Sequence, residues 1–275
     1  MKIQSIIDIA IKNLKIRLRQ RQTYFFSFGF PLIFTFVFYF IFGSQEIISG
    51  VSIFTLSISG LLIYTASFGT INTAVVFCSE KQTGTLVRID TTPCKRSHIF
   101  IGTLLSESVF LMIQLIIMFI VGYGILRLKW GYDITTGVFH LDLSLLIIGF
   151  IIIFIFGLST LGLGIIISAY AKTIEAGLGI SMVYVMPVLF LSGVMIPFEN
   201  PIVYVFPPFW ANQFYLQVVV LGHNLWTDPL LSNSDNIFNA GVTNIPLWGA
   251  LVVIITFLFL TLIVGIFLFN RKTLT

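Results

Sequence analysis

Residues 143–169 read LSLLIIGFIIIFIFGLSTLGLGIIISA and contain no charged side chain. A helix needs about 20 mostly apolar residues to cross the hydrocarbon core of a bilayer, because each residue adds about 1.5 Å. This stretch meets that length and is apolar on every side, so it predicts a membrane-spanning helix. A strand of a membrane-embedded barrel would instead alternate apolar and polar residues over about ten positions.

Five further stretches of the same character lie on either side of it. They cover residues 24–43, 51–78, 99–126, 177–196 and 247–270. Charged residues make up only 9% of the 275 residues, against about 25% in soluble domains. This composition excludes an ordinary soluble protein, a disordered chain and a nucleic-acid-binding domain. The sequence predicts an all-α polytopic membrane protein with six transmembrane helices in a single transmembrane domain, residues 1–275.

The basic residues between these stretches predict the orientation. With a cytoplasmic N-terminus, 13 of the 15 Lys and Arg residues lie inside, and only Arg127 and Lys129 lie outside. Cytoplasmic loops of membrane proteins carry such an excess of Lys and Arg. We therefore expect both termini to be cytoplasmic.

Residues 1–22 are too polar to span a bilayer but carry an apolar stripe at helical spacing. The stripe consists of Ile3, Ile7, Leu14 and Leu18, widened by Ile6, Ala10 and Ile11. Lys12, Lys15 and Arg19 lie on the remaining surface. This pattern predicts an amphipathic helix in the inner membrane interface, with its basic face toward anionic lipid headgroups. A frayed basic tail that serves only topology is the alternative.

Residues 79–98 form the most charged internal stretch, on the cytoplasmic side. Glu80, Arg88, Asp90, Lys95 and Arg96 mix the two signs of charge, which suits docking to a folded partner better than binding a polyanion. A solvated connector is the alternative. Gly84 permits a turn, and Pro93 ends any short helix before it.

This stretch resembles the corresponding loop of ABC-2 type permeases, the membrane subunits of a class of ATP-binding-cassette exporters. The matching positions are Glu80-Lys81, Gly84-Thr85-Leu86, Thr92-Pro93 and Arg96. The resemblance implies that residues 79–98, including Arg88, form a coupling loop that contacts an ATPase subunit. It also implies that residues 1–22 are the elbow helix of that family. A weaker match, Lys172 with Glu175, implies a secondary ATPase contact.

The second specific match is Leu191-Ser192-Gly193-Val194-Met195-Ile196-Pro197, which resembles a signature of the same family. It implies a re-entrant helical hairpin after the fifth span, over residues 197–222, which closes the pathway. Several prolines, including Pro187, predict breaks in any continuous helix here. Ser192, Gly193, Pro197, Phe209 and Trp210 are candidate gate residues. We expect residues 223–246 to form an extracellular loop.

Glu107 is the acidic residue deepest within a predicted span. Facing lipid, an ionised carboxylate would cost about 2.5–3.5 kcal/mol, so it should face the bundle or an aqueous cavity, or be protonated. Thr103, Glu107 and Gln114 share one face of the helix. Glu107 and Gln114 are candidate pathway residues; a buried hydrogen bond between helices is the alternative.

Motifs for catalysis, nucleotide binding and metal binding are missing from the sequence. Without a Gly-x-x-x-x-Gly-Lys-Ser/Thr loop the chain has no motif for cradling nucleotide phosphates. We therefore expect a transport subunit that is not an enzyme and holds no metal or cofactor. ATP and Mg²⁺ would bind to a separate ATPase subunit. Small residues of the fourth span, among them Gly157, Gly162 and Gly164, fit either packing within the chain or a dimer seam.

The predicted function is that of an ABC-2 permease subunit in the plasma membrane of a prokaryote, moving a hydrophobic or amphipathic small molecule, or a lipid-linked compound, outward. The resemblance implies ATPase subunits and a second copy or a paralogous permease as partners, besides membrane lipids; no nucleic acid is expected. One alternative is a transporter or channel driven by an ion gradient. A second is a subunit of a polysaccharide or lipid-glycan exporter, and a third is a membrane scaffold that does not transport.

Overall fold

The computed structural model describes residues 2–19, 25–42, 46–48, 51–84, 96–130, 143–194, 201–220 and 247–272. These residues contain eight α-helices and one short antiparallel pair of strands, β1 (Glu46–Ile48) and β2 (Val51–Ser52). The helices are α1 (Lys2–Arg19), α2 (Phe30–Phe42), α3 (Ile53–Gln82), α4 (Arg96–Trp130), α5 (Leu143–Tyr170), α6 (Ile174–Leu191), α7 (Pro207–Tyr215) and α8 (Leu247–Lys272).

Five of the described helices are long and apolar enough to cross a membrane, namely α3, α4, α5, α6 and α8. The first predicted span, residues 24–43, differs from the other five. There a π-helical turn (Phe25–Gly29) leads into α2, and the apolar helix Ser27–Phe42 is shorter than the five long ones. The prediction of an all-helical, multi-pass architecture is confirmed for five of the six stretches.

The predicted loop 79–98 is shorter in the structure, because helices extend into both of its ends. α3 continues through Gln82, and α4 begins at Arg96. Gly84 ends the first of these helices, with φ at +65°, a left-handed conformation that glycine adopts without steric cost. The predicted turn at Gly84 is therefore confirmed. Residues 79–82, in contrast, belong to a helix and not to the loop.

The fifth predicted span, residues 177–196, begins and ends earlier than expected. α6 starts after Thr173, whose hydroxyl accepts a hydrogen bond from the Ala176 amide at 3.2 Å as an N-cap. The helix runs through Pro187 and ends at Leu191, followed by Gly193 at φ +69°. The prediction that Pro187 breaks the helix was wrong. A proline removes one backbone hydrogen bond, and the surrounding turns hold the helix together here.

α3 is the central helix of the described bundle, with 83% of its apolar window buried, whereas α8 is peripheral at 17%. α5 packs closely against three neighbours through its glycines. A Cβ atom would lie 2.6 Å from Leu111 of α4 at Gly157, 2.7 Å from Thr261 of α8 at Gly162, and 2.6 Å from the Thr70 carbonyl of α3 at Gly164. These glycines therefore serve packing within the chain.

Candidate functional site

A buried ion pair joins α1 to the interior of the bundle. Arg17 of α1 donates a hydrogen bond to the carboxylate of Glu107 on α4, with the side chains 4% and 2% exposed. The Arg17 guanidinium also lies over the ring of Phe110, 4.4 Å from its centroid, a favourable cation–π geometry. The one strongly buried acid of α4 is thus neutralised by a cation from the amphipathic helix, and it does not face the lipid.

A second polar contact, one helical turn away on α1, joins three helices at once. The Asn13 amide nitrogen donates to Glu80 Oε1 of α3 at 3.0 Å and to Thr103 Oγ1 of α4 at 2.9 Å. The Thr103 hydroxyl also lies 3.2 Å from the same Glu80 oxygen and donates to it. Glu80 is 9% exposed, and its other carboxylate oxygen has no hydrogen-bond partner among the described residues.

Gly102 allows α1 to approach α4 this closely. A Cβ atom at Gly102 would lie 2.8 Å from Ile9 Cγ2 and 3.0 Å from the backbone oxygen of Ile6. The face of α1 against α4 includes Ile6, Ile9, Asn13 and Arg17, and Ala10 on the same side is buried. The contacts advance in the same direction along both helices, from Gly102 beside Ile9 to Glu107 beside Arg17.

The other face of α1 is exposed. Ile7, Ile11 and Leu18 are between 42% and 45% exposed, and Lys12, Lys15 and Arg19 are exposed as well. The apolar stripe expected from the sequence is therefore divided between two surfaces. Ile6 lies against α4 and Ala10 is buried, while Ile7, Ile11 and Leu18 are exposed.

Gln114 continues the same face of α4 beyond the ion pair. Its amide nitrogen donates to the Ser27 carbonyl at 2.6 Å, in the middle of the π-helical turn before α2. Ser27 in turn donates to Asn72 Oδ1 of α3 at 3.2 Å. Thr103, Glu107 and Gln114 thus share one face, as the spacing predicts, and that face is covered by α1 and the turn that follows it.

The predicted coupling residues fall into two groups. Glu80 lies in the buried contact described above, and Lys81 Nζ donates to the Ser168 carbonyl of α5, so both side chains are engaged within the chain. Gly84 forms the turn after α3, and Arg96 is the first residue of α4. The remaining predicted coupling residues lie outside the described residues; they are Thr85, Leu86, Arg88, Thr92 and Pro93.

The Lys81 contact brings two connectors to the same end of the bundle. Ser168 lies in the last turn of α5, directly before the short connector to α6 that contains Lys172. The Cys78 thiol, one turn before Lys81, lies near the Ala171 carbonyl at 3.9 Å. Lys172 and Glu175 are both exposed there, and Glu175 occupies the first turn of α6, where a negative charge stabilises a helix.

The predicted gate residues lie at the opposite end of α6. The Ser192 hydroxyl donates to the Leu189 carbonyl at 3.1 Å. Trp210 Nε1 donates to the Tyr204 carbonyl at 2.8 Å, and the Phe209 ring packs edge-on against Tyr204. Pro197 lies outside the described residues.

Most of the described segment after α6 is buried in the bundle, although Ile202 and Val205 are exposed. It comprises a 3₁₀-helix (Pro201–Val205), α7 and a π-helical turn (Leu216–Val220). Residues 208–220 are all buried. The Tyr215 hydroxyl of α7 lies 2.5 Å from that of Tyr123 on α4. This segment therefore contributes to the core and is no free loop.

A small pocket of about 10 Å³, room for about one water molecule, lies between α3, α5, α6, α7 and α8. Its lining residues are Ser67, Thr70, Phe156, Thr160, Leu163, Tyr184, Val185, Val188, Leu189, Pro208 and Phe257. The hydroxyls of Ser67, Thr70 and Thr160 each donate to a backbone carbonyl at 2.8–3.0 Å. Because these hydroxyl protons are already engaged in hydrogen bonds within the chain, the pocket presents a mostly apolar surface.

Sequence reasoning missed Arg17 and Asn13 as site residues. The sequence nevertheless contained a pattern that indicates these two residues. A second stripe at helical spacing lies beside the apolar one and consists of Ile6, Ile9, Ala10, Asn13 and Arg17. A buried ionised glutamate within a span is stabilised by a nearby cation, and the N-terminal segment is rich in cations. No sequence pattern indicated which residues line the pocket, because apolar residues occur on every surface of a membrane protein.

Five long apolar helices around a buried polar contact define a multi-pass membrane protein. The chain belongs to the ABC-2 type transporter family, whose model matches residues 5–216. The resemblance inferred from residues 80–96 and 191–197 is thereby confirmed.

Two relatives from Escherichia coli K12 and E. coli O157:H7 bear the name "Probable multidrug ABC transporter permease YbhR". Each is 28% identical to this chain over 172 residues. The match covers 58% of this chain and 43% of the relative.

Proposed function

We propose that this chain is the membrane-spanning permease subunit of an ABC exporter of the prokaryotic plasma membrane, driven by separate ATPase subunits. Membership of the ABC-2 type transporter family supports this function, and the name of the E. coli relatives points to a permease of the same kind. In this proposal both termini and the α3–α4 connector face the cytoplasm, and α2 completes six spans. ATP and Mg²⁺ bind to the partner, and this chain catalyses no reaction.

The observation that carries the proposal is the shared position of two connectors at one end of the bundle. The contact of Lys81 with the Ser168 carbonyl holds the end of α3 against the end of α5. An ATPase subunit docked on residues 83–96, with Thr85, Leu86, Arg88, Thr92 and Pro93, would thereby also reach exposed Lys172 and Glu175. A contact that spans both connectors would transmit its motion to α3, α4, α5 and α6 together.

The cargo class follows from the cavity between α3, α5, α6, α7 and α8. The pocket has room for about one water molecule, so a cargo would enter it only when the lining helices separate. Its lining is mostly apolar, and the hydroxyl protons of Ser67, Thr70 and Thr160 are already donated to backbone carbonyls. We therefore propose a hydrophobic or amphipathic cargo, such as a small drug-like molecule or a lipid-linked compound.

A second copy of the chain, or a paralogous permease, would complete the exporter. α6 and α8 have the least buried apolar windows of the five long helices, at 28% and 17%. Such faces suit contact with lipid or with another permease. In this arrangement the segment from Ser192 to Trp210 closes the pathway on the outer side.

The decisive test is transport by the chain reconstituted in proteoliposomes with its ATPase subunit. A fluorescent hydrophobic dye should be moved only in the presence of ATP and Mg²⁺, and an ATPase subunit with its Walker A lysine replaced should abolish movement. Transport that proceeds without ATP and collapses when an ionophore dissipates the ion gradient would contradict the proposal and favour a gradient-driven transporter.

A further inference from the structure

The face of α7 that packs against α5 carries an amide side chain, that of Asn212. Pro208, four residues before it, lines the pocket together with Phe156 of α5. Tyr215, three residues after it, lies so close to α5 that a Cβ atom at Gly149 would be 2.6 Å from the Tyr215 ring. Residues three to four positions apart share one face of a helix. Asn212 therefore lies on this face, one turn along α7 from the pocket.

The amide oxygen of Asn212 is buried and has no hydrogen-bond partner among the residues that the structure describes. Asn212 as a whole is only 6% exposed. The part of α5 at the same level, residues 150–155, reads FIIIFI and offers no hydrogen-bonding side chain. A buried polar atom without a partner is unfavourable, because it has lost its hydrogen bonds to water and gained none in return. This oxygen therefore calls for a donor that the described part of the chain does not supply.

The pocket next to Asn212 presents oxygen atoms of the same kind. Three of its hydroxyl groups donate their protons to backbone carbonyls at 2.8–3.0 Å, and their oxygens remain as acceptors. They belong to Ser67, Thr70 and Thr160. The other unpaired polar atom after α6 is the Tyr204 hydroxyl, whose ring packs against Phe209 on another side of α7. The surface from the pocket to Asn212 thus combines apolar side chains with hydrogen-bond acceptors.

We propose that the Asn212 amide oxygen accepts a hydrogen bond from an N–H or O–H group of the cargo. The exporter then selects amphipathic molecules that carry a hydrogen-bond donor over those that carry none. The apolar part of such a cargo contacts the pocket lining when the helices separate, and its donor group reaches Asn212 one turn further along α7. A competing cargo without a donor leaves the amide oxygen buried and unpaired, and this penalty disfavours it. The inference rests on the proposed function, because it names the cargo of that permease.

The test compares two fluorescent dyes that differ in one donor, dansyl N-butylamide and its N-methyl derivative. The sulfonamide N–H of the first dye is an N–CH₃ group in the second, and the rest of the two molecules is identical. Their affinities for the complex of the chain with its ATPase, in lipid nanodiscs without ATP, are measured by energy transfer from tryptophan to dansyl, with empty nanodiscs subtracted. One neutral hydrogen bond changes an equilibrium constant about two- to tenfold. We expect the wild-type complex to bind the donor dye at least about fivefold more tightly than the methylated dye.

Two variants assign this preference to one atom. Asn212→Leu keeps a similar size but offers no acceptor, so it should bind the two dyes with equal affinity. Gln213→Leu is the matched control, because Gln213 is also buried and lies about 100° further around the helix. It should keep the preference of the wild type. The ratio of two affinities measured on one sample does not depend on the folded fraction, so a partly unstable variant still gives a valid result.

Equal binding of the two dyes to the wild-type complex would overturn the inference. A fivefold preference that Asn212→Leu retains, or one that both variants lose equally, would overturn it as well. Selective binding without ATP-driven transport of either dye in proteoliposomes would instead contradict the proposed function, so the two failures are distinguishable.

Discussion

Arg17 and Glu107 form a buried ion pair between two helices that the sequence assigns to different environments. Arg17 lies on the amphipathic helix α1, and Glu107 lies in a membrane-spanning helix. Burying either charge alone is costly, while the pair compensates both. The pair therefore fixes the position of α1 against the bundle, and the cation that a sequence reader would place in the cytoplasm belongs to the protein interior.

Removal of one partner of this pair should destabilise the protein strongly. Glu107→Gln leaves the Arg17 guanidinium buried beside a neutral amide, and Arg17→Met leaves Glu107 without a cation. We expect each single substitution to cost about 3–5 kcal/mol, the usual penalty for breaking a buried pair. The melting temperature of the detergent-purified chain, followed by intrinsic fluorescence, measures this loss.

The double variant Arg17→Met with Glu107→Leu is the matched control. It removes both charges and fills the space with apolar atoms, so its loss of stability should be smaller than that of either single variant. A double variant whose loss equals the sum of the single losses would show that the two side chains do not interact.

Gly102 and Gly124 offer a controlled test of how closely α1 approaches α4. Both glycines lie on α4, but a Cβ at Gly102 would meet Ile9 at 2.8 Å, whereas one at Gly124 would have nothing within 4 Å. Gly124→Ala should stabilise the chain by about 0.5–1 kcal/mol through helix propensity. Gly102→Ala should destabilise it by about 1–3 kcal/mol through overpacking. Equal shifts in melting temperature would disprove the close approach.

The helices could be predicted from the sequence because their signals are local. Uninterrupted apolar runs of spanning length indicate α3, α4, α5 and α8 whatever their neighbours are. The ends of α3 and α6 were less predictable, because each helix extends beyond its apolar run into polar residues. Glu80 and Lys81 look like loop residues until Asn13 and the Ser168 carbonyl provide partners for them.

The buried polar contact was only partly predictable for the same reason. The spacing of Thr103, Glu107 and Gln114 indicates one polar face, yet the partner helix lies about 90 residues earlier in the chain. Several cations of α1 could have paired with Glu107, and only the packing of Ile9 on Gly102 selects Arg17. The cavity is a property of the packed bundle and has no local pattern at all.

The hydroxyl groups of Tyr123 and Tyr215 provide a second pairwise test, at the other end of α4. They lie 2.5 Å apart and join α4 to α7. Tyr215 is 0% exposed, whereas Tyr123 is only partly buried. Tyr123→Phe leaves the fully buried hydroxyl of Tyr215 unpaired and should cost about 1–3 kcal/mol. Tyr215→Phe leaves the Tyr123 hydroxyl without its partner and should also destabilise the chain.

The double variant Tyr123→Phe with Tyr215→Phe should be close to the wild type in stability, since no hydroxyl then remains unpaired. Thermal unfolding in detergent of all four proteins gives the coupling energy. Additive losses would mean that the two hydroxyls do not bond to each other.

Val188 and Val183 test whether the cavity receives the cargo. Both lie on α6, but Val188 lines the cavity, whereas Val183 is 76% exposed on the outer surface. The pocket has room for about one water molecule, so a tryptophan at position 188 would block it, while Val183→Trp adds the same side chain facing away from it. We expect Val188→Trp to weaken dye stimulation of the reconstituted ATPase at least tenfold, or about 1.4 kcal/mol of binding free energy. Basal hydrolysis should be retained.

Val183→Trp is the matched control and should behave as the wild type. Equal effects of the two substitutions, or normal stimulation in Val188→Trp, would place the cargo site elsewhere.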